Sequence, residues 1–152
     1  GNSSDPVSAQ TKTSGGAGRS VTDWSKVSKL RKSVVNYAKS LEGSRYVFGG
    51  VDPKSGIDCS GLILVVMRDK AGLDLDHYSA SQATEGVAVS ADQMRPGDII
   101  AYDGQPRDGK VNHIAIYVGD GKAIHARGKN EGVQITAWDY AEPLAIRNLL
   151  GD

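Results

Sequence analysis

Gly56-Ile57-Asp58-Cys59-Ser60-Gly61, followed directly by Leu62-Ile63-Leu64-Val65-Val66-Met67, is the stretch on which the reading of this chain turns. A polar loop ends here and an apolar run begins, and the junction holds the only cysteine among 152 residues. Asp58 suits the N-cap position, where a carboxylate accepts from the unpaired amides of a first helical turn. Cys59 then sits in that turn, near the positive end of the helix dipole. Such a setting favours the thiolate: a free cysteine titrates near ~8.5, and helix N-termini or a neighbouring histidine lower this to roughly 3.5–7.5. The expectation is a nucleophile on a helix start, with faster alkylation by iodoacetamide at pH 6 than a simple thiol shows. The competing reading is a small core residue.

The helix after Cys59 is apolar nearly all round, which places it in the middle of the domain, and Gly72 is its stop. Upstream, Val27, Leu30, Val34, Ala38 and Leu41 recur at helical spacing and end near Gly43. Lys26, Lys29, Arg31, Lys32 and Lys39 then form a solvated face. Downstream, Leu73 to Val89 reads as irregular or short-helical, with Ser79-Ala80-Ser81-Gln82 polar and exposed in character. After the Pro96-Gly97 turn pair the pattern becomes strands at 98–102, 113–118, 122–127, 133–137 and 144–149. Helices first and antiparallel strands after them define an α+β domain over residues 21–152, with Trp24 and Trp138 assigned to its core. Residues 1–20, rich in Gly, Ser and Thr, read as a flexible linker or tail, and Gly1 as a cloning or processing remnant. This points to a further domain upstream in the full-length protein.

Eighteen basic and eighteen acidic residues cancel, so nothing draws the chain to nucleic acid or to an anionic membrane. No apolar stretch is long enough for a membrane span, and none of the sequence reads as a signal peptide. A single cysteine excludes an internal disulfide framework. The histidines, His77, His113 and His125, show no metal-ligand spacing, so neither metal nor cofactor is expected.

Whether a base can reach Cys59 depends on the hairpin around Gly119-Asp120-Gly121. A two-residue Asp120-Gly121 turn pairs Gly119 with Lys122 and sends His113 and His125 to opposite faces. A three-residue loop with a left-handed Gly121 pairs Val118 with Lys122 instead. Ala115 then faces His125, and His113 is the diagonal neighbour on the same side, about 7–8 Å away. The glycine at the third loop position favours the second register. The result is thiol, base and an orienting imidazole.

These residues resemble the NlpC/p60-type cell-wall cysteine peptidases. The resemblance rests on Tyr46-Val47-Phe48-Gly49-Gly50, Asp58-Cys59-Ser60-Gly61-Leu62 and Arg95-Pro96-Gly97-Asp98-Ile99-Ile100. Asn112-His113-Ile114-Ala115-Ile116-Tyr117-Val118-Gly119 and Ala123-Ile124-His125-Ala126 complete it, over roughly residues 41–137. It implies a papain-like fold and an extracellular or wall-associated peptidoglycan hydrolase of bacterial type. Stem peptides would be cut between γ-linked D-Glu and the next diamino acid. It implies Cys59 as nucleophile held as thiolate by His113, His113 as base and His125 as the third residue. Tyr46 would lie beside the thiol; Asp58, Ser60 and Ser79 would contact substrate. Two departures stand out: Arg45 replaces a common proline, and His77 stands near the place of a common arginine, whose role is unfilled or taken by His77. The rival readings are an amidase of the lactyl–L-Ala bond, a lipid acyltransferase of the permuted relatives and a non-catalytic wall-binding module.

Overall fold

The computed structural model describes residues 21–152; the linker expected over residues 1–20 lies outside them. Helix α1 (Lys29–Ser40) starts where the Ser28 hydroxyl accepts from the Arg31 amide, and it buries Val34, Val35 and Ala38. A 3-10 turn, Trp24–Lys26, precedes it. One residue of the expected solvated face is not solvated. Arg31 is only 1 % exposed, because its guanidinium donates to Asp98, Asp152, the Asn148 side chain and the Pro96 carbonyl at 2.8–2.9 Å. A helical wheel cannot register acceptors supplied from the far end of the chain.

A short ladder of β1 (Val51–Asp52) and β2 (Gly56–Ile57) leads into α2 (Cys59–Ala71). Asp58 caps α2 through Oδ1, which accepts from the Gly61 amide at 2.8 Å. The helix ends at Gly72 with φ 68°, where Leu73 N–H donates to the Met67 carbonyl in a left-handed C-terminal motif. Between those ends Leu62, Ile63, Val65, Val66 and Met67 are buried, as the apolar run requires. Gly61 has no room for a side chain: a Cβ would lie 2.1 Å from the Gly50 carbonyl oxygen, so the 46–50 loop rests directly on the first turn.

Helix α3 (Ser79–Gln82) corrects the expectation of an exposed segment, since both Ser79 and Gln82 are buried. The Gln82 amide donates to the carbonyls of Ser60 and Asp76, fastening α3 to the start of α2. Then come β3 (Val87–Ala88), β4 (Ile99–Asp103), β5 (His113–Gly119), β6 (Lys122–Ala126), β7 (Val133–Ala137) and β8 (Glu142–Asn148). They form one antiparallel sheet in the order β3-β8-β4-β5-β6-β7. The edge strand β3 and the β1–β2 ladder, at two residues each, are too short to carry a period in the sequence.

The sheet is apolar on both faces. Ile114, Ile116, Val118 and Ile124 meet α1 and α2. Ile100, Tyr102, Ala115, Tyr117 and Ala123 pack with Trp138 and Met94 on the reverse side. Trp138 is thus a core residue, whereas Trp24 is half-buried and its indole N–H donates to Asp120 at 3.3 Å.

The β5–β6 hairpin satisfies both registers considered above, in different places. Its turn is the two-residue one, with Gly119 opposite Lys122 and both Asp120 (φ 54°) and Gly121 (φ 76°) left-handed. Ahead of the turn the register slips at Val118, so that Ile116 pairs with Ile124 and Tyr117 with Ala123. One step further this sets Ala115 against His125, the alignment that brings the histidines together. A bulge, not a longer loop, produces it.

Candidate active site

The cleft is divided by Cys59 and Tyr46, which line both halves together with Asn112. Each half encloses about 400 Å³. One half adds His113, Arg127, Tyr140 and Arg107. The other adds Asp58, Ser60, His77 and Ser79. Of the seven residues singled out in the sequence, six therefore face one cleft, and the seventh, His125, lies immediately behind His113.

Cys59 occupies the first turn of α2, with the Ser60, Ile114 and Cys59 backbone amides directed at its sulfur. Those amides favour an anion at this point, but they do not dominate. Burial pushes the thiol up to about 11, with the Asp58 carboxylate adding to the effect. His113 moves the other way, down to about 4, because of burial and then the Arg127 charge. Both shifts favour the uncharged forms, a thiol and an imidazole, over the expected thiolate held by an imidazolium. Helix-start position favours the thiolate; the protein packed around it outweighs that. Since a raised thiol pKa leaves less thiolate at any pH below it, iodoacetamide should alkylate Cys59 at pH 6 more slowly than a free cysteine, with the rate still climbing above pH 9. Alkylation faster than the free amino acid would show the thiolate to be stabilised after all.

His113 heads β5 and its Nε2 lies 2.7 Å from His125 Nδ1. His125 is fully buried, and burial, then His113, lower it to about 3. Aromatic rings enclose the pair: Tyr140 stands 4.7 Å from the His125 ring and Tyr102 stands 6.0 Å from the His113 ring, centroid to centroid. The Arg127 guanidinium lies over Tyr140 at 5.4 Å. On the far side of His125, Nε2 is 2.8 Å from Thr136 Oγ1. Thr136, Tyr140 and Arg127 escaped the sequence reading. For Thr136 a signal was available, since strand alternation places it diagonally opposite His125 on β7.

Asp58 is spent on more than the cap. Its Oδ1 also lies 2.8 Å from His77 Nε2, and its Oδ2 accepts from the Gly49 amide at 2.8 Å. His77 thus reaches the carboxylate that caps α2. Tyr46 is half-buried beside Cys59, and burial, then the nearby Cys59, raise its phenol. Ser79 opens α3 at the wall of the same half-cleft. Among the described residues no group of three or more His, Cys, Asp or Glu could hold a metal ion.

A helix-borne cysteine packed on an antiparallel sheet with a histidine pair at the cleft is a papain-like α+β arrangement. The family model described as NlpC/P60 family matches residues 43–145, and the chain belongs to that family. It is 39% identical over 104 residues to the gamma-DL-glutamyl hydrolase of Bacillus subtilis (strain 168), covering 68% of this chain and 25% of that protein. It is 31% identical over 102 residues to the gamma-D-glutamyl-L-lysine dipeptidyl-peptidase of Bacillus cereus, covering 67% and 30%. The crystal structure of the NlpC/p60 domain of the peptidoglycan hydrolase SagA superposes with a TM-score of 0.69 at 32% identity, covering 78% of this chain and 97% of that one. The chain spans about a quarter to a third of the two curated relatives.

Proposed function

We propose that this chain is the catalytic part of a wall-associated bacterial cysteine endopeptidase acting on peptidoglycan stem peptides, at the bond between γ-linked D-Glu and the diamino acid. The observation that carries this is Cys59 on a capped helix start, sharing a cleft with His113, whose far nitrogen is held 2.7 Å from His125. The names of the two curated relatives, both acting on γ-glutamyl bonds, support the choice of substrate.

In this reading the Cys59 sulfur attacks the γ-carbonyl as its proton passes to His113. The Cys59 backbone N–H, and Tyr46 beside the thiol, face the oxyanion that forms. His113 returns the proton to the leaving amine, and a thioester remains on Cys59. Water then adds with His113 again as base, releasing the acid and restoring the thiol. The half-cleft holding Asp58, Ser60, Ser79 and His77 receives the N-terminal part of the stem, where a carboxylate suits an ammonium. In the opposite half Arg107 is paired with Asp103 at 3.9 Å, and the Arg127 guanidinium supplies the charge that suits the carboxylate-bearing leaving product.

Mass spectrometry of digests of a defined muropeptide set tests this. The expected products are a fragment ending in D-Glu and one beginning with the diamino acid. Release of intact stems from the lactyl group would assign an amidase instead. Binding of muropeptides without any product would make the chain a wall-binding module.

A further inference from the structure

The histidine pair does not end at His125, and the group behind it has a defined polarity. Thr136 Oγ1 lies 2.8 Å from His125 Nε2 and donates its own proton to the Ala137 carbonyl at 3.1 Å. A carbonyl oxygen only accepts, and a hydroxyl has one proton to give. With that proton committed, Thr136 offers His125 a lone pair, so Nε2 of His125 must carry hydrogen. His125 is fully buried and neutral, which leaves its Nδ1 bare. A bare Nδ1 at 2.7 Å accepts from His113 Nε2, and His113 must therefore carry its proton there. The one nitrogen of His113 left to receive a proton is then Nδ1.

We propose that Thr136 is a positioning residue for the reaction set out above, fixing by way of His125 the tautomer in which His113 Nδ1 is free to act as base. The opposite tautomer reverses every donor in the row. It requires Thr136 to turn its proton from the Ala137 carbonyl to His125, and it leaves His113 Nδ1 already protonated, unable to take the thiol proton. The bias comes from a backbone acceptor, so no charged third residue is needed. That matters here, because the Arg127 charge acts on both imidazoles. A carboxylate would serve by holding an imidazolium; this row serves by ordering two neutral rings. Register explains why the residue falls there: His125 pairs with Gln134 across β6 and β7, so Thr136, two positions on, is the diagonal neighbour on the same face.

The proposal rests on the peptidase reading for its kinetic consequence but not for its spectroscopic one. The experiment compares wild type, Thr136→Val and Thr136→Ser at pH 7. Nitrogen-15 NMR of histidine-labelled protein should show His113 in wild type with a protonated Nε2 and a pyridine-like Nδ1. In Thr136→Val, which keeps shape and loses the acceptor, the two signals should exchange. The kcat for stem-peptide cleavage should fall by about 10²-fold or more, the usual weight of a general base, with KM little changed. Thr136→Ser restores the acceptor and should restore both readouts to within about threefold of wild type. An unchanged His113 tautomer in Thr136→Val overturns the proposal, as does a serine variant that behaves like valine. If wild type cleaves no stem peptide, the peptidase reading fails alone, and the NMR comparison still decides the role of Thr136.

Discussion

Replacement of Cys59 by alanine is expected to reduce stem-peptide hydrolysis to background, a loss of about 10⁴-fold or more, as for other nucleophiles removed from a triad. The size follows from what the sulfur does in the proposed cycle. It forms the bond to the γ-carbonyl and leaves again from the thioester, so no remaining group substitutes for it. Serine should do little better, because a hydroxyl buried as this thiol is holds its proton far more tightly, and His113, lowered to about 4, is a weak base with which to remove it. Stability is the control. Alanine is a good residue for a first helical turn, the Asp58 cap does not involve the thiol, and a half-buried sulfur contributes little packing. Thermal unfolding within about 1 kcal/mol of wild type, with cleavage abolished, is the expected pair of results. Undiminished product formation by Cys59→Ala would end the proposed mechanism.

The second large effect concerns the fold. Arg31→Met should cost about 3–5 kcal/mol, the range found when one partner of a buried ion pair is removed. In a domain of this size that lowers the melting temperature by roughly 10–20 °C. The reason is what stays behind. Asp98 is fully buried, and its carboxyl is already held above the usual range because burial outweighs the pull of Arg31. Without the guanidinium that carboxylate loses its ion-pair partner and keeps only the weaker pull of the Arg95 charge, and Asn148, Asp152 and the Pro96 carbonyl lose a shared donor. Adding Asp98→Asn should recover part of the loss, since asparagine keeps an acceptor for the Arg95 amide and carries no charge. Differential scanning calorimetry of the single and double variants checks this. A single variant as stable as wild type would show the network to be dispensable.

Legibility in the sequence followed the range of each interaction. The cap at Asp58, the stop at Gly72 and the buried run between them are local, and so were readable. So were β5 and β6, whose alternating apolar residues fill the two faces of the sheet. Arg31 was misassigned because its acceptors lie 65 to 121 residues away. Gln82 was misassigned for the same reason, its amide being anchored to a helix start 22 residues upstream. At the site, the residues that share the cleft could be picked out, while the burial around them could not. The position of Cys59 on α2 argues for a thiolate, and only the packed surroundings show the burial that pushes the thiol the other way. The contact of His77 with Asp58 belongs to the same class, since the two lie 19 positions apart with helix α2 between them and leave no periodic trace.

The slip at Val118 has a consequence for how this hairpin can change over time. Strand faces obey parity: with the two-residue turn and no slip, Gly119 still meets Lys122, but Ile116 then meets His125, and His113 projects through the opposite side of the sheet. The odd residue restores the parity that the even turn would spoil. Loss of one residue from the paired stretches, with the bulge kept, would therefore put the two rings on opposite faces, whereas loss of Val118 itself would leave a plain two-residue hairpin that still sets Ala115 against His125. A paired loss, or a loss matched by a gain, would leave them together. The spacing of these histidines is thus constrained by arithmetic as much as by chemistry, and a change of length in the hairpin is compatible with the site only where it keeps both rings on one side.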